Sequence, residues 1–83
     1  MRFPIRYHFA REELPAYLAH RLRLAGTELP LFDPSAQEAI FQATGGLPRK
    51  VDLLAHHALM AAARARAKAV TAEHVAAALP EVA

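Results

Sequence analysis

Thr44-Gly45-Gly46-Leu47-Pro48-Arg49-Lys50 is the stretch of the sequence whose residue types and spacing carry chemistry. Two glycines can end one helix, Pro48 suits the first position of the next, and two cations then fall in that helix's first turn. A helix amino end already carries roughly half a positive charge, so a lysine or arginine there is disfavoured by about 0.3–1 kcal/mol when nothing compensates it. A bound anion would compensate. Free N–H groups at the helix start, and a guanidinium whose fork matches phosphate oxygens, would together make a phosphate contact. The plainer alternative is that Arg49 and Lys50 are solvated surface charges and the glycines only a helix stop.

Other reactive side chains offer less. The five histidines raise the question of a metal, yet His56 and His57 are adjacent and so face about 100° apart on a helix, and no His-x-x-x-His pair occurs. No metal site is expected. There is no cysteine, and Ser35 lies in a first helical turn rather than in a nucleophile motif. Arg64, Arg66 and Lys68 read as the last turn of a long helix, where the macrodipole favours cations; they are candidates for contact with DNA or a neighbouring subunit.

Four helical segments must position these residues. Leu14, Tyr17, Leu18, Leu22 and Ala25 recur at helical spacing from Arg11 to Ala25, with Gly26 as a stop; Ala10 stands where a Ser or Thr cap is expected, and Pro15 blurs the start. Thr27 to Phe32 reads as a loop containing Pro30. Asp33-Pro34 opens a second helix whose inward stripe is Ala36, Ala39, Ile40 and Ala43, helped by Phe41, and Gly45-Gly46 ends it. Pro48 starts a long third helix through about Lys68 that buries Val51, Leu54, Ala55, Ala58 and Ala62, with Leu53 and Met60 widening that face. Thr71 caps a last helix, Ala72 to Leu79, with Val75, Ala76 and Leu79 inward and Pro80 as the stop. Ahead of them all, Phe3, Ile5, Tyr7 and Phe9 alternate with polar residues and Pro4 as a strand does, but no second strand follows; residues 1–9 are expected to belong to a sheet supplied elsewhere.

The chain is 83 residues, 54% hydrophobic, with a net charge of +2. A domain this small buries only about 60% of the surface its unfolded chain exposes, so without disulfides it must hold by helix packing. The charge says little about nucleic acid. The Ala55–Ala69 stretch is broken by Arg64, Arg66 and Lys68 and falls far short of a membrane span, and no leader opens the sequence, so a cytoplasmic protein without membrane insertion is expected.

Gly46-Leu47-Pro48-Arg49 resembles the G-x-P-R element called sensor 2 in the small helical lid of AAA+ ATPases. The resemblance extends to Arg6-Tyr7-His8, to the helix ending His20-Arg21-Leu22-Arg23-Leu24-Ala25-Gly26, to Leu31-Phe32 and to Val70-Thr71-Ala72-Glu73-His74-Val75. It spans nearly the whole chain, and it is nearest to the lids of bacterial ATPases that assist DNA transposition and of the general secretion pathway ATPase family.

What the resemblance implies is an all-α, four-helix lid over residues 10–83, preceded by a short extended segment, 1–9, that is the last piece of the ATPase core sheet. It implies ATP as ligand, with magnesium held by the core, and Arg49 reaching the γ-phosphate to couple hydrolysis to lid motion. Gly46, Pro48 and Arg49 match the motif, Gly45 matches less strictly, and Lys50 is added as a neighbouring cation. Tyr7, at the junction with the core, could touch the adenine ring. Implied partners are the ATPase core, neighbouring subunits and, in transposition, DNA and a transposase, with this chain alone a monomer. There is no phosphate-binding loop and no Asp-Glu strand, so no hydrolysis is expected of this chain by itself. Two alternatives stand beside this reading. One is a histone-like module for DNA binding or dimerisation, suggested by the long helix followed by Val70 to Leu79; the other is a protein-docking bundle.

Overall fold

In the computed structural model, which describes residues 8–25 and 31–82, a 3₁₀ turn at Arg11–Glu13 leads into α1, Leu14–Ala25. There follow β1, Leu31–Phe32; α2, Pro34–Thr44; α3, Pro48–Arg64; β2, Ala69–Val70; and α4, Ala72–Val82. The described residues form an all-α bundle of four helices with a minimal strand pair. Pro15 sits at the second position of α1, where its missing N–H costs no intrahelical bond. Ala10 caps nothing with its side chain; the Glu13 carboxylate instead accepts the Ala10 N–H at 2.6 Å. Asp33 Oδ1 accepts the Ala36 N–H at 2.8 Å with Pro34 behind it, the start expected of α2.

The core gathers one stripe from each helix. Leu14, Leu18 and Leu22 of α1, Ala36 and Ile40 of α2, Val51, Leu54, Ala58 and Ala62 of α3, and Val75 and Ala78 of α4 are buried together with Phe32 and Val70. Each larger aliphatic among them contributes about 1.5–3 kcal/mol by leaving water. The alanines let α4 lie close along α3, its main neighbour, and then against α2.

Several expectations are corrected. The end of the Thr27 to Phe32 loop is a strand: Leu31 and Phe32 pair in parallel with Ala69 and Val70, and the Asp33 N–H donates to the Val70 carbonyl at 3.0 Å. Because β1 leads into α2 and β2 into α4, this pairing sets the two helix starts side by side. Ser35 Oγ accepts the Ala72 N–H at 3.1 Å while donating to Asp33 Oδ1 at 2.7 Å, so α2 caps α4. Thr71 does stand at the cap of α4, its carbonyl accepting the His74 N–H at 3.0 Å, but its own N–H and hydroxyl turn to His74 Nδ1, at 3.0 and 3.3 Å, rather than the hydroxyl to a helix N–H.

The third helix ends at Arg64, not Lys68, because Arg66 turns into the left-handed region at φ 56°. Leu53 and Met60 face outward, 47% and 46% exposed, since the neighbours of α3 lie on its opposite side. Ala43, Ala76 and Leu79 are exposed as well, and Ala39 and Ala55 only half-buried. The last helix runs through Pro80 to Val82, with Ala78 in place of Ala76 and Leu79 at the core. Among the described residues no helix is long and apolar enough to cross a membrane.

Candidate functional site

The turn between α2 and α3 is built backbone first. Gly45 ends α2 in the left-handed region, φ 63°, and its N–H reaches the Phe41 carbonyl at 2.8 Å. Thr44 braces the corner, its hydroxyl donating to the Ile40 carbonyl at 2.7 Å and accepting the Gly46 N–H at 3.2 Å. Gly46 follows at φ 83° and is buried. Leu47 is the N-cap of α3 with extended backbone, and no side chain caps the helix there. Pro48 occupies the first helical position, and Arg49 and Lys50 come next, both exposed.

Among the described residues neither Arg49 nor Lys50 has an ion pair or a hydrogen bond. Two solvated cations therefore stand at the positive end of α3, beside backbone N–H groups that no side chain occupies. This arrangement favours a multiply charged anion on electrostatic grounds. The other nominated cations sit elsewhere: Arg64 closes α3, while Arg66 and Lys68 lie in the connection to β2, at the opposite end of that helix, and all three are exposed. The structure does not bring them together with Arg49. Tyr7 lies outside the described residues, as do Phe3 and Ile5 of the expected strand.

Sequence reasoning missed what holds the turn in place. The segment entering the domain crosses it, with the Phe9 N–H donating to the Gly46 carbonyl at 2.8 Å and His8 Nδ1–H to the Gly45 carbonyl at 3.4 Å. A Cβ on residue 46 would stand 2.1 Å from the Phe9 carbonyl oxygen, so only glycine permits the crossing. Farther along, Arg11 grips Glu38 of α2 with two bonds, 2.7 and 3.0 Å, and its guanidinium lies 4.7 Å from the centre of the Phe41 ring. Hydrogen bonds from Gln42, first, and Arg11 hold the Glu38 carboxyl below its ordinary range.

The Phe9 ring packs on Tyr17 of α1 with centroids 4.4 Å apart, and the Tyr17 hydroxyl donates to Asp52 Oδ1 of α3. Arg21 Nε lies 3.7 Å from the same oxygen. Desolvation, followed by the bond to Asp52, pushes the Tyr17 hydroxyl up to about 12. The entering segment, α1 and the first turns of α3 are thus tied into one unit behind Arg49. One signal was present in the sequence: Asp52 is the sole acid of α3. Beside this tie, α1 and α3 enclose a cleft of about 140 Å³ lined by Leu18, Leu22, Phe32 and Leu59 together with Arg21 and His56.

Among the described residues no group of His, Asp or Glu is arranged to hold a metal; His56 and His57 meet edge to face at 5.4 Å.

Over 64 residues, 74% of its length, the chain is 36% identical to General secretion pathway protein A of Aeromonas hydrophila. It spans 12% of that protein. No family model matches the chain, and no solved structure does.

Proposed function

We propose that this chain is the helical lid of a AAA+ ATPase and that Arg49 senses the bound nucleotide. The observation that carries the reading is the turn Gly46-Leu47-Pro48-Arg49, which holds an exposed guanidinium, unpaired among the described residues, at the amino end of α3, where no side chain caps the helix. The likeness to General secretion pathway protein A supports it and favours a secretion-related ATPase over one serving DNA transposition. ATP with magnesium would be held by a separate core domain, and the partners would be that core and neighbouring subunits.

In this role Gly46 keeps the backbone crossing at Phe9 tight, Pro48 presets the first turn, and Arg49 donates to phosphate oxygens, with Lys50 adding field. Because Phe9 is bonded to Gly46 and stacked on Tyr17, a shift of the segment entering the lid would be felt at the turn that carries Arg49. That gives a physical route from nucleotide state to lid position.

The test is turnover of the ATPase that carries this chain. A charge-assisted hydrogen bond is worth about 1.5–3 kcal/mol, so Arg49→Ala is expected to slow hydrolysis, or uncouple it from lid movement, by roughly 10- to 100-fold. Helical content should not change, because Arg49 is exposed. Wild-type turnover and coupling in Arg49→Ala would end the proposal.

A further inference from the structure

The outward face of α3 carries a second pattern. Lys50, Leu53, His57, Met60 and Arg64 recur at alternating steps of three and four residues, which sets them within an arc of about 80° on the helix. The centre of that arc lies about 120° around the helix from the core stripe Val51, Leu54, Ala58 and Ala62, with Leu53 and Met60 turned farthest from it. Leu53 and Met60 are among the large apolar side chains left exposed, although the helix they belong to packs well elsewhere. A cation stands one turn beyond each of them.

We propose that this face docks an acidic amphipathic helix of a partner protein, with Leu53 and Met60 as its apolar contact and Lys50 and Arg64 gripping carboxylates at the two ends.

Charge selects the occupant. The sole acid of α3, Asp52, lies about 120° around the helix from the centre of the arc and is engaged by Tyr17 and Arg21. The arc itself therefore bears Lys50, Arg64 and His57 around an apolar centre. Across the neighbouring groove Glu81 of α4 shares a cavity with His57 and Arg64 but forms no ion pair with them among the described residues.

A second copy of this chain is a poor match: antiparallel pairing would set Lys50 against Arg64, and parallel pairing would set like against like. Nucleic acid is a poorer match too, because phosphate contacts come from cationic and polar hydrogen-bond donors and the centre here, Leu53 and Met60, supplies none. A helix with apolar residues two turns apart meets both side chains, since Leu53 and Met60 are about 10 Å apart along the axis. Methionine adapts to varied partners, and a contact of this extent implies weak, reversible binding.

The experiment titrates the isotope-labelled chain with a designed helical peptide bearing two leucines two turns apart and a glutamate one turn beyond each. Amide shifts are expected to cluster at Lys50, Leu53, His57, Met60 and Arg64, and the affinity to fall with added salt. Leu53→Asp combined with Met60→Asp should weaken binding at least about tenfold while leaving the circular dichroism unchanged, since both positions are exposed.

Four results would overturn the proposal. These are absence of binding, equal binding by the peptide with lysines in place of glutamates, tighter binding of a DNA duplex at the same residues, or sedimentation as a dimer that Leu53→Asp dissociates. Neither altered residue belongs to the nucleotide-sensing turn, so this test and that of Arg49 fail independently.

Discussion

Gly46 gives its carbonyl to the Phe9 N–H at 2.8 Å and turns its bare α-carbon toward the Phe9 carbonyl, where a methyl group would arrive at 2.1 Å. Its neighbour Gly45 shares the left-handed backbone, φ 63°, but has open space where a Cβ would go. Two glycines in one turn are therefore required for different reasons.

Substitution separates them. Gly45→Ala should cost about 1–2 kcal/mol, the left-handed penalty alone. Gly46→Ala meets the same penalty plus a backbone collision that no rotamer relieves. It should cost clearly more, or release the Phe9 segment from the turn. Urea unfolding gives the first quantity, and hydrogen exchange at the Phe9 amide the second. Equal losses of stability with Phe9 still protected would contradict the geometry.

Tyr17 and Asp52 make stability depend on alkaline pH. Burial first, then the hydrogen bond to Asp52 and its charge, raise the Tyr17 hydroxyl from 10.0 to about 12, with Arg21 opposing. The folded chain thus holds this proton more tightly than the unfolded one. The contribution is complete below pH 10 and drains away as pH climbs toward about 12. At neutral pH Tyr17→Phe should lose about 0.5–1.5 kcal/mol, the net worth of one hydrogen bond. The gap between the two proteins should then close between pH 10 and pH 12. Unfolding free energies measured across that window decide it: a gap that stays constant removes the tie between α1 and α3.

Helical periodicity carried most of the fold. Leu14, Leu18 and Leu22, Ala36 and Ile40, and Val51, Leu54, Ala58 and Ala62 are legible because burial repeats with the turn of the helix, and Asp33-Pro34 is legible because its capping chemistry is local. What escaped depends on partners distant in sequence. Two-residue strands have no period to read, so the pairing of Leu31 and Phe32 with Ala69 and Val70 left no trace. Leu53, Met60 and Leu79 look inward on hydropathy alone and are exposed because no fifth element covers them within the described residues.

The same division holds at the site. Gly45, Gly46, Pro48 and Arg49 announce a turn with a cation. The Phe9 crossing and the Tyr17–Asp52 bond join residues that only the finished bundle brings together.

Arg66 offers a gain rather than a loss. After Arg64 the Ala67 N–H returns to the Ala62 carbonyl at 2.9 Å and the Arg66 N–H to the Ala63 carbonyl at 3.0 Å, a pair of bonds that closes a helix only when the residue between is left-handed. Arginine holds that position at φ 56°, where glycine would carry no side-chain penalty. Arg66→Gly is therefore expected to stabilise the domain by about 1 kcal/mol once the greater freedom of the unfolded glycine is counted, raising Tm by roughly 4–8 °C. Arg66→Ala removes the same charge without relieving the backbone and should give no such gain. If the two variants melted together, the strain assigned to Arg66 would have to be given up and any shift ascribed to the lost charge.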